Sequence, residues 1–325
     1  MPAIDTAMHD FMSDPYIFSE FINLFVFNGK TVLTAQDLSN EDSNLSQVID
    51  AKENTGADAA VNAVNIERYR DIIKKAVLQN HFILLAIENQ TNISMIMPVR
   101  NALYDMLNYQ SQIKAFQRKN KNAKAISGKS AYFLSGMTDK DKLIPVITFV
   151  FYYGEKPWTG PLTLYEMFDT NEIPKAFFPF LPDYRINLID IHSISDNISM
   201  SEDLTIIIYL LKYRGQKRFL KDYIQNNPGI FEKVPEHLLN LISVILDTPW
   251  LIQTKKQYIS KKGRVDMCTA IKEWYEEALS EGKSEGLSLA EEIIKRKKHG
   301  ESPAAIARAL NVEQTQVLLI THLLD

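Results

Sequence analysis

Apolar and polar positions recur along this chain at two periods, one helical and one extended. Phe18, Phe21, Ile22 and Phe25 repeat at helical spacing behind an Asp14-Pro15 pair. Asp at an N-cap and Pro in the first turn start a helix, and Asn28-Gly29 supplies a stop. The polar stretch 38–60, rich in Asn, Asp, Ser and Ala, predicts a loop with at most a short helix. Residues 66–78 read as a strand, Gln79-Asn80 as a turn and 82–88 as a second strand. Helical spacing returns over 98–112 through Val99, Leu103, Met106 and Leu107, with Ile113 just beyond. The run LIPVITFVFYY at 143–153 is almost wholly apolar and predicts a central strand, and RINLIDI at 185–191 predicts another. Beyond Met200, the segments 204–213, 218–225, 236–246 and 266–281 fit helices. Residues 282–286, bounded by two glycines, read as a hinge before a last helical segment. This order predicts a mixed α/β core with a helical C-terminal region.

Composition narrows the class. The chain has 325 residues, 46% hydrophobic and 23% charged, which is enough apolar material for a full core in one large domain or two. A single cysteine, Cys268, forms no internal disulfide and no cysteine zinc cluster, and it fits a reducing, cytoplasmic setting. The six histidines have no i, i+4 partner of the kind a helical zinc site uses. No apolar run nears the roughly 20 residues that span a bilayer. Residues 1–14 hold three acids and no Lys or Arg, so no signal peptide and no membrane partner are expected. Net charge is −4, which does not suggest a general nucleic-acid binder, but the charge is unevenly spread.

The candidate chemistry lies in RYRDIIKKAVLQNHFILLAIENQT, residues 68–91. Strand alternation puts Glu88 and Gln90 on one face with Asn89 opposite. Asp71, Ile73 and Lys75 share a face of the preceding strand. Paired as a hairpin, Asp71 and Glu88 converge at one sheet end. Two carboxylates brought together repel, so one pKa rises or a cation neutralises them. A Mg²⁺ site needs one or two carboxylates, completed by water and phosphate. Such a metal can activate water and stabilise charge on a phosphodiester. The plainer reading is a strand that ends on polar residues, with Asp71 a solvated acid.

These residues also carry a resemblance. The D-x(n)-E-x-Q arrangement resembles the PD-(D/E)XK nuclease superfamily, with Gln where Lys is usual. More narrowly, the chain is similar to the Rpn family of recombination-promoting nucleases, also labelled transposases. The matching segments are LFVFNGKTVLTAQDL (24–38), RYRDIIKKA (68–76), LLAIENQT (84–91), MPVRNALYDMLNYQSQ (97–112), DKLIPVITFVFYYGEKPWTGPLTLYEM (141–167) and YRINLIDI (184–191), in family order. The resemblance implies a restriction-endonuclease-like fold and divalent-metal-dependent DNA cleavage. It assigns Asp71 and Glu88 as metal-binding acids and Gln90 as the third motif position. Glu20 and Asn23 become candidates for a first-helix contribution, with Asn23 favoured because Glu20 lies opposite the apolar face. Gln90 carries no charge, so it would orient water rather than acidify it. Lys75 is a possible substitute cation, or else a solvated strand lysine.

DNA contacts are expected on the next helix. Arg100 and Tyr104 stand at i, i+4, where they could hold a phosphate or could simply stack on each other. No acid occurs between Met106 and Thr138, whereas Lys114, Arg118, Lys119, Lys121, Lys124 and Lys129 all fall there. Such a run could track a DNA backbone without reading bases, or be a solvated helix end.

Residues 301–324 have a helix-turn-helix cadence, with Ile306 and Leu310, a break at Asn311, then Val317 and Ile320. Glu313 and Gln314 would open a poorly basic recognition helix, which favours packing or homo-oligomer assembly over base reading.

The expected organisation is a nuclease-like core over 1–200, a helical region over 201–281 and a helical tail over 282–325. The expected function is that of a Mg²⁺-dependent, cytoplasmic DNA endonuclease linked to recombination or mobile elements, with no small-molecule cofactor. The alternatives are an inactive DNA-binding or assembly protein and a toxin-like defence nuclease.

Overall fold

The structure is a computed structural model. It describes residues 3–41, 47–49, 64–66, 71–78, 81–123, 132, 135–195, 200–260 and 263–321. Helices α1 (Ala3–Ser13) and α2 (Pro15–Val26) come first. Asp14 caps α2, its Oδ1 accepting from the Tyr16 and Ile17 amides. Asn28 and Gly29 close the helix at φ 52° and 79°, the left-handed region that Gly and Asn enter most readily.

Strands β1 (Leu38–Asn40), β2 (Gln47–Ile49), β3 (Val64–Ile66), β4 (Ile72–Leu78), β5 (His81–Gln90), β6 (Val146–Tyr152) and β7 (Asn187–Asp190) follow, with helix α3 (Met97–Asn122) between β5 and β6. Five of them form one sheet in the order β1-β4-β5-β6-β7. β4 pairs antiparallel with β1 and β5, while β5, β6 and β7 are parallel. The parallel step from β5 to β6 is made through α3, because parallel neighbours need a crossover.

The near-continuous apolar runs of β5 and β6 reflect burial on both faces. One face packs Ile73, Leu84, Ala86 and Val146 with Tyr109 of α3. The other packs Phe151 edge-on to Phe21 of α2, at 4.8 Å between ring centroids. The fold is therefore a mixed α/β sheet flanked by helices.

The sequence reading and the structure differ at several places, among them the strand expected over 66–78, of which β4 covers Ile72–Leu78 while Ile66 belongs to β3 in a separate sheet. The stretch expected to be mainly loop contains β1 and β2, and β2 pairs with β3. These strands are three residues long, too short for alternation to register. Helix α1 had no sequence assignment, although Met8 and Met12 stand at i, i+4 and are both fully buried. The expected hinge at 282–286 is instead the middle of one helix.

The C-terminal part is helical. It contains α4 (Glu202–Tyr213), α5 (Lys217–Asn226), α6 (Pro228–Phe231), α7 (Leu239–Leu246), α8 (Trp250–Tyr258), α9 (Met267–Lys298), α10 (Pro303–Leu310) and α11 (Gln314–Thr321). Helix α9 runs unbroken through Gly282 and Gly286. Each glycine costs roughly 1 kcal/mol against Ala, and strong helix formers on both sides carry the helix across them.

The chain packs as two compact units, Met1–Leu220 with Pro235–Thr254, and Lys221–Val234 with Lys255–Asp325. In the second, Ile293, Ile306, Ala307 and Val317 bury one another, with Leu289 and Leu310 against them. The tail thus holds a small core of its own. Asn311 turns the chain between α10 and α11 at φ 52°. Among the described residues, no helix is long and apolar enough to cross a membrane.

Candidate active site

The site forms where the β4–β5 hairpin opens, away from its turn. Ile72 lies opposite Ile87. Asp71 stands one residue before β4, and Glu88 follows Ile87 on β5, so both lie at this end of the hairpin. The Asn89 amide donates to Asp71 Oδ2 at 2.7 Å and fastens the carboxylate to the neighbouring strand. Glu88 is 1% exposed.

Helix α3 starts seven residues beyond β5, so it turns back over this face. Its Arg100 places Nη2 3.3 Å from Glu88 Oε2. The same guanidinium charge acts on Asp71. Burial raises the Asp71 pKa above its ordinary value and is the largest influence. The Asn89 N–H, Arg100 and His9 oppose it, and the Asp5 charge adds to it. Asp5 and His9 come from α1, which lies against β4 and β5. Asp5 in turn accepts a hydrogen bond from the Tyr153 hydroxyl at 3.1 Å, and Arg214 Nη2 donates to the Tyr153 carbonyl at 2.9 Å. Burial first, then Asp5, pushes the Tyr153 hydroxyl far above its usual range, so it stays a neutral donor.

Asp71 thus feels the charges of Asp5 and Arg100, and Arg100 also contacts Glu88. Burying carboxylates is unfavourable unless positive charge or hydrogen bonds compensate. Nearby, the side-chain amides of Asn89 and Asn101 and the Arg100 Nε are buried and, among the described residues, find no hydrogen-bond partner. Buried polar atoms of this kind are where water or an ion completes a site. Among the described residues no three Asp, Glu, His or Cys side chains form a ready metal cage. The oxygen donors of Asp71 and Glu88 suit instead a hard cation that keeps most of its shell for water and phosphate.

Residues 66–241 match the protein family described as "Putative transposase, YhgA-like". The chain belongs to this family. No curated protein and no solved structure matches it. The matched region of this YhgA-like chain holds Asp71, Glu88, Gln90 and all of α3. Helix α1, with Asp5 and His9, lies outside it.

The remaining residues singled out in this YhgA-like sequence fall in several places. Gln90 follows Glu88 on the same face, and its Nε2 donates to the Asn89 carbonyl at 2.6 Å. Asn23 is buried and committed to the backbone: its Nδ2 donates to the Leu33 carbonyl at 2.6 Å, and its Oδ1 accepts from the Val32 and Leu33 amides. Glu20 accepts from the Ser201 amide. The helix that reaches Asp71 is α1 rather than α2. The clue in the sequence was the Met8/Met12 spacing, which makes α1 a core helix and brings its acid and histidine inward.

Lys75 points away from the chemistry, with Nζ 4.3 Å from the Phe82 ring centroid, near the turn end of the hairpin. Tyr104 is 7% exposed and packs with Leu107 and Leu103, because the i, i+3 pair 104/107 belongs to the sheet-facing side of α3. A phosphate on the outer surface would not meet it. Lys114 is half-buried, whereas Arg118, Lys119 and Lys121 are exposed. Lys124 and Lys129 lie outside the described residues.

Proposed function

We propose that this chain is a divalent-metal-dependent DNA endonuclease, with Asp71 and Glu88 as metal ligands and Gln90 beside them. The observation that carries the reading is that one arginine serves both acids at the open end of β4 and β5: Arg100 lies 3.3 Å from Glu88, and its charge acts on Asp71. A Mg²⁺ ion there would supply Lewis-acid activation of water and charge stabilisation on a phosphodiester. The protein's own contributions are separate. Arg100 holds the Glu88 carboxylate in place, and when a phosphate enters, its fork is suited to bind that group bidentately. Gln90 offers an uncharged donor and acceptor to orient a water molecule. Asp5, Oδ1-bonded to Tyr153, adds negative charge that strengthens the pull on a cation. The exposed bases of α3, Arg118, Lys119 and Lys121, supply the backbone contacts.

A second reading rests on the Arg100–Glu88 contact itself. A guanidinium that permanently occupies Glu88 would exclude the metal and leave a DNA-binding protein without cleavage. Incubating plasmid DNA with the full chain, with and without Mg²⁺, and with Asp71→Ala alongside, separates the two. The endonuclease reading expects Mg²⁺-dependent nicking that the variant lacks. DNA binding with no nicking at any Mg²⁺ concentration would favour the second reading.

A further inference from the structure

Helix α3 carries an outer face that neither the core nor the candidate site uses. Met95 and Ile96, in the turn that opens the helix, are 63% and 61% exposed, and Val99 and Met106 are 45% and 56% exposed. Positions 96, 99 and 106 fall on one helical stripe, with half-buried Leu103 completing it. Large apolar side chains this exposed and this contiguous mark an interaction surface. Further along the helix Arg118 and Lys121 continue this side as cations, while Lys119 projects from the opposite side. The only acid of the helix, Asp105, is 5% exposed and faces the sheet, where it accepts from the Thr148 hydroxyl at 2.8 Å. The outer face of α3 therefore offers no negative charge to a polyanion. Arg100, one turn into the helix, joins this face to Glu88.

We infer that the N-terminal turn of α3 is an apolar wedge that Met95 and Ile96 press into a base step of duplex DNA, kinking it beside the candidate site. The inference rests on the endonuclease reading and adds how the substrate is held. Proteins that kink DNA insert side chains of this type, Met and Ile among them, between base pairs. The spacing fits: Ile96 to Arg118 spans about 33 Å at 1.5 Å per residue. That is close to the ~34–36 Å of one duplex turn. The wedge and the cationic end can therefore engage one face of the same duplex, a turn apart. The apolar end supplies deformation and the basic end supplies sequence-independent affinity. A protein partner for the stripe is disfavoured by its continuity with an acid-free, basic surface.

The test is energy transfer between fluorophores on the two ends of a short duplex, titrated with the full chain in EDTA so that no cleavage occurs. Wild-type protein should raise the transfer efficiency as it binds, corresponding to a kink on the order of 20–90°. Met95→Ser/Ile96→Ser should bind within a few-fold of wild type and leave the transfer at its free-DNA value. Ile96→Leu should restore it. Both positions are mostly exposed, so serine there leaves the fold intact. An unchanged kink in the serine variant overturns the inference, as does preferential binding of single strands. So does a wild-type oligomer, seen by light scattering, that the serine variant dissociates. Straight binding by an active wild type refutes the wedge alone. Failure of the wild type both to bind and to cleave DNA refutes the endonuclease reading with it.

Discussion

Arg100 reaches Glu88 across 3.3 Å, from the helix that follows the strand on which Glu88 stands. The carboxylate is 1% exposed and the arginine side chain 29%. This contact balances the charge of the candidate site and also competes with any metal for Glu88.

Removing the arginine should separate these two roles. Losing one partner of a fully buried ion pair costs about 3–5 kcal/mol, and the cost should be smaller here because Arg100 is partly exposed. Arg100→Ala should lower the melting temperature in EDTA. Added Mg²⁺ should stabilise the variant more than wild type, since ligand binding stabilises by about 2.7 kcal/mol at a hundredfold excess over Kd. Equal Mg²⁺ shifts in the two proteins would place the metal elsewhere.

Asp71 gives a pH signature. Burial raises its folded-state pKa above the ordinary 3.8. A raised folded value contributes stability that is full below the unfolded pKa and lost as pH rises through the folded one. In metal-free buffer, Asp71→Asn should therefore melt above wild type at neutral pH. The gap should close as pH falls below 3.8. Each kcal/mol corresponds to about 2–4 °C in a unit of this size. A gap that opens on acidification would mean that Asp71 is stabilised by its partners rather than strained by burial.

The basic end of α3 should act through phosphates. Lys119→Glu/Lys121→Glu should weaken binding to all DNA sequences alike. If each lysine neutralises one phosphate, the log–log salt slope should become shallower by about 0.9 for each of the two charges removed from the DNA backbone. Affinity unchanged at low salt would make this stretch a solvated helix end.

The tail offers a test of its own small core. Ile306 is fully buried against Ile293 and Val317, and Ile306→Ala should cost about 2–5 kcal/mol there. Hydrogen exchange should show α10 and α11 losing protection while β5 and β6 keep theirs. Gly282→Ala and Gly286→Ala should do the opposite and stabilise α9, since an added Cβ at either meets nothing within 4 Å. Lost activity in those alanine variants would revive the hinge.

The sequence was informative where burial imposes a pattern. The runs at 82–88 and 143–153 identified β5 and β6 because both faces of these strands are covered, and Asp14-Pro15 identified α2 because its cap is local. Alternation offered Asp71 and Glu88 as a pair at one strand end, and Arg100, which contacts Glu88 and acts on Asp71, came from the helix that follows. Asp5 and His9 could not be found this way, because their approach to Asp71 depends on how α1 docks on the sheet. Tyr104 was misleading for a related reason. The i, i+4 spacing to Arg100 says that two side chains are neighbours, not that both face solvent. Glycine spacing likewise misplaced a hinge, because helix propensity over a long segment outweighs two unfavourable residues.

The most direct test pairs cleavage with affinity in Glu88→Gln. This change keeps the side-chain volume and removes the charge a metal would need. DNA affinity in EDTA and single-turnover cleavage in Mg²⁺ should be measured on the same protein and the same duplex. The endonuclease account predicts affinity within a few-fold of wild type and cleavage reduced to background. Cleavage by Glu88→Gln at the wild-type rate, or a wild type inactive at every Mg²⁺ concentration, would contradict it.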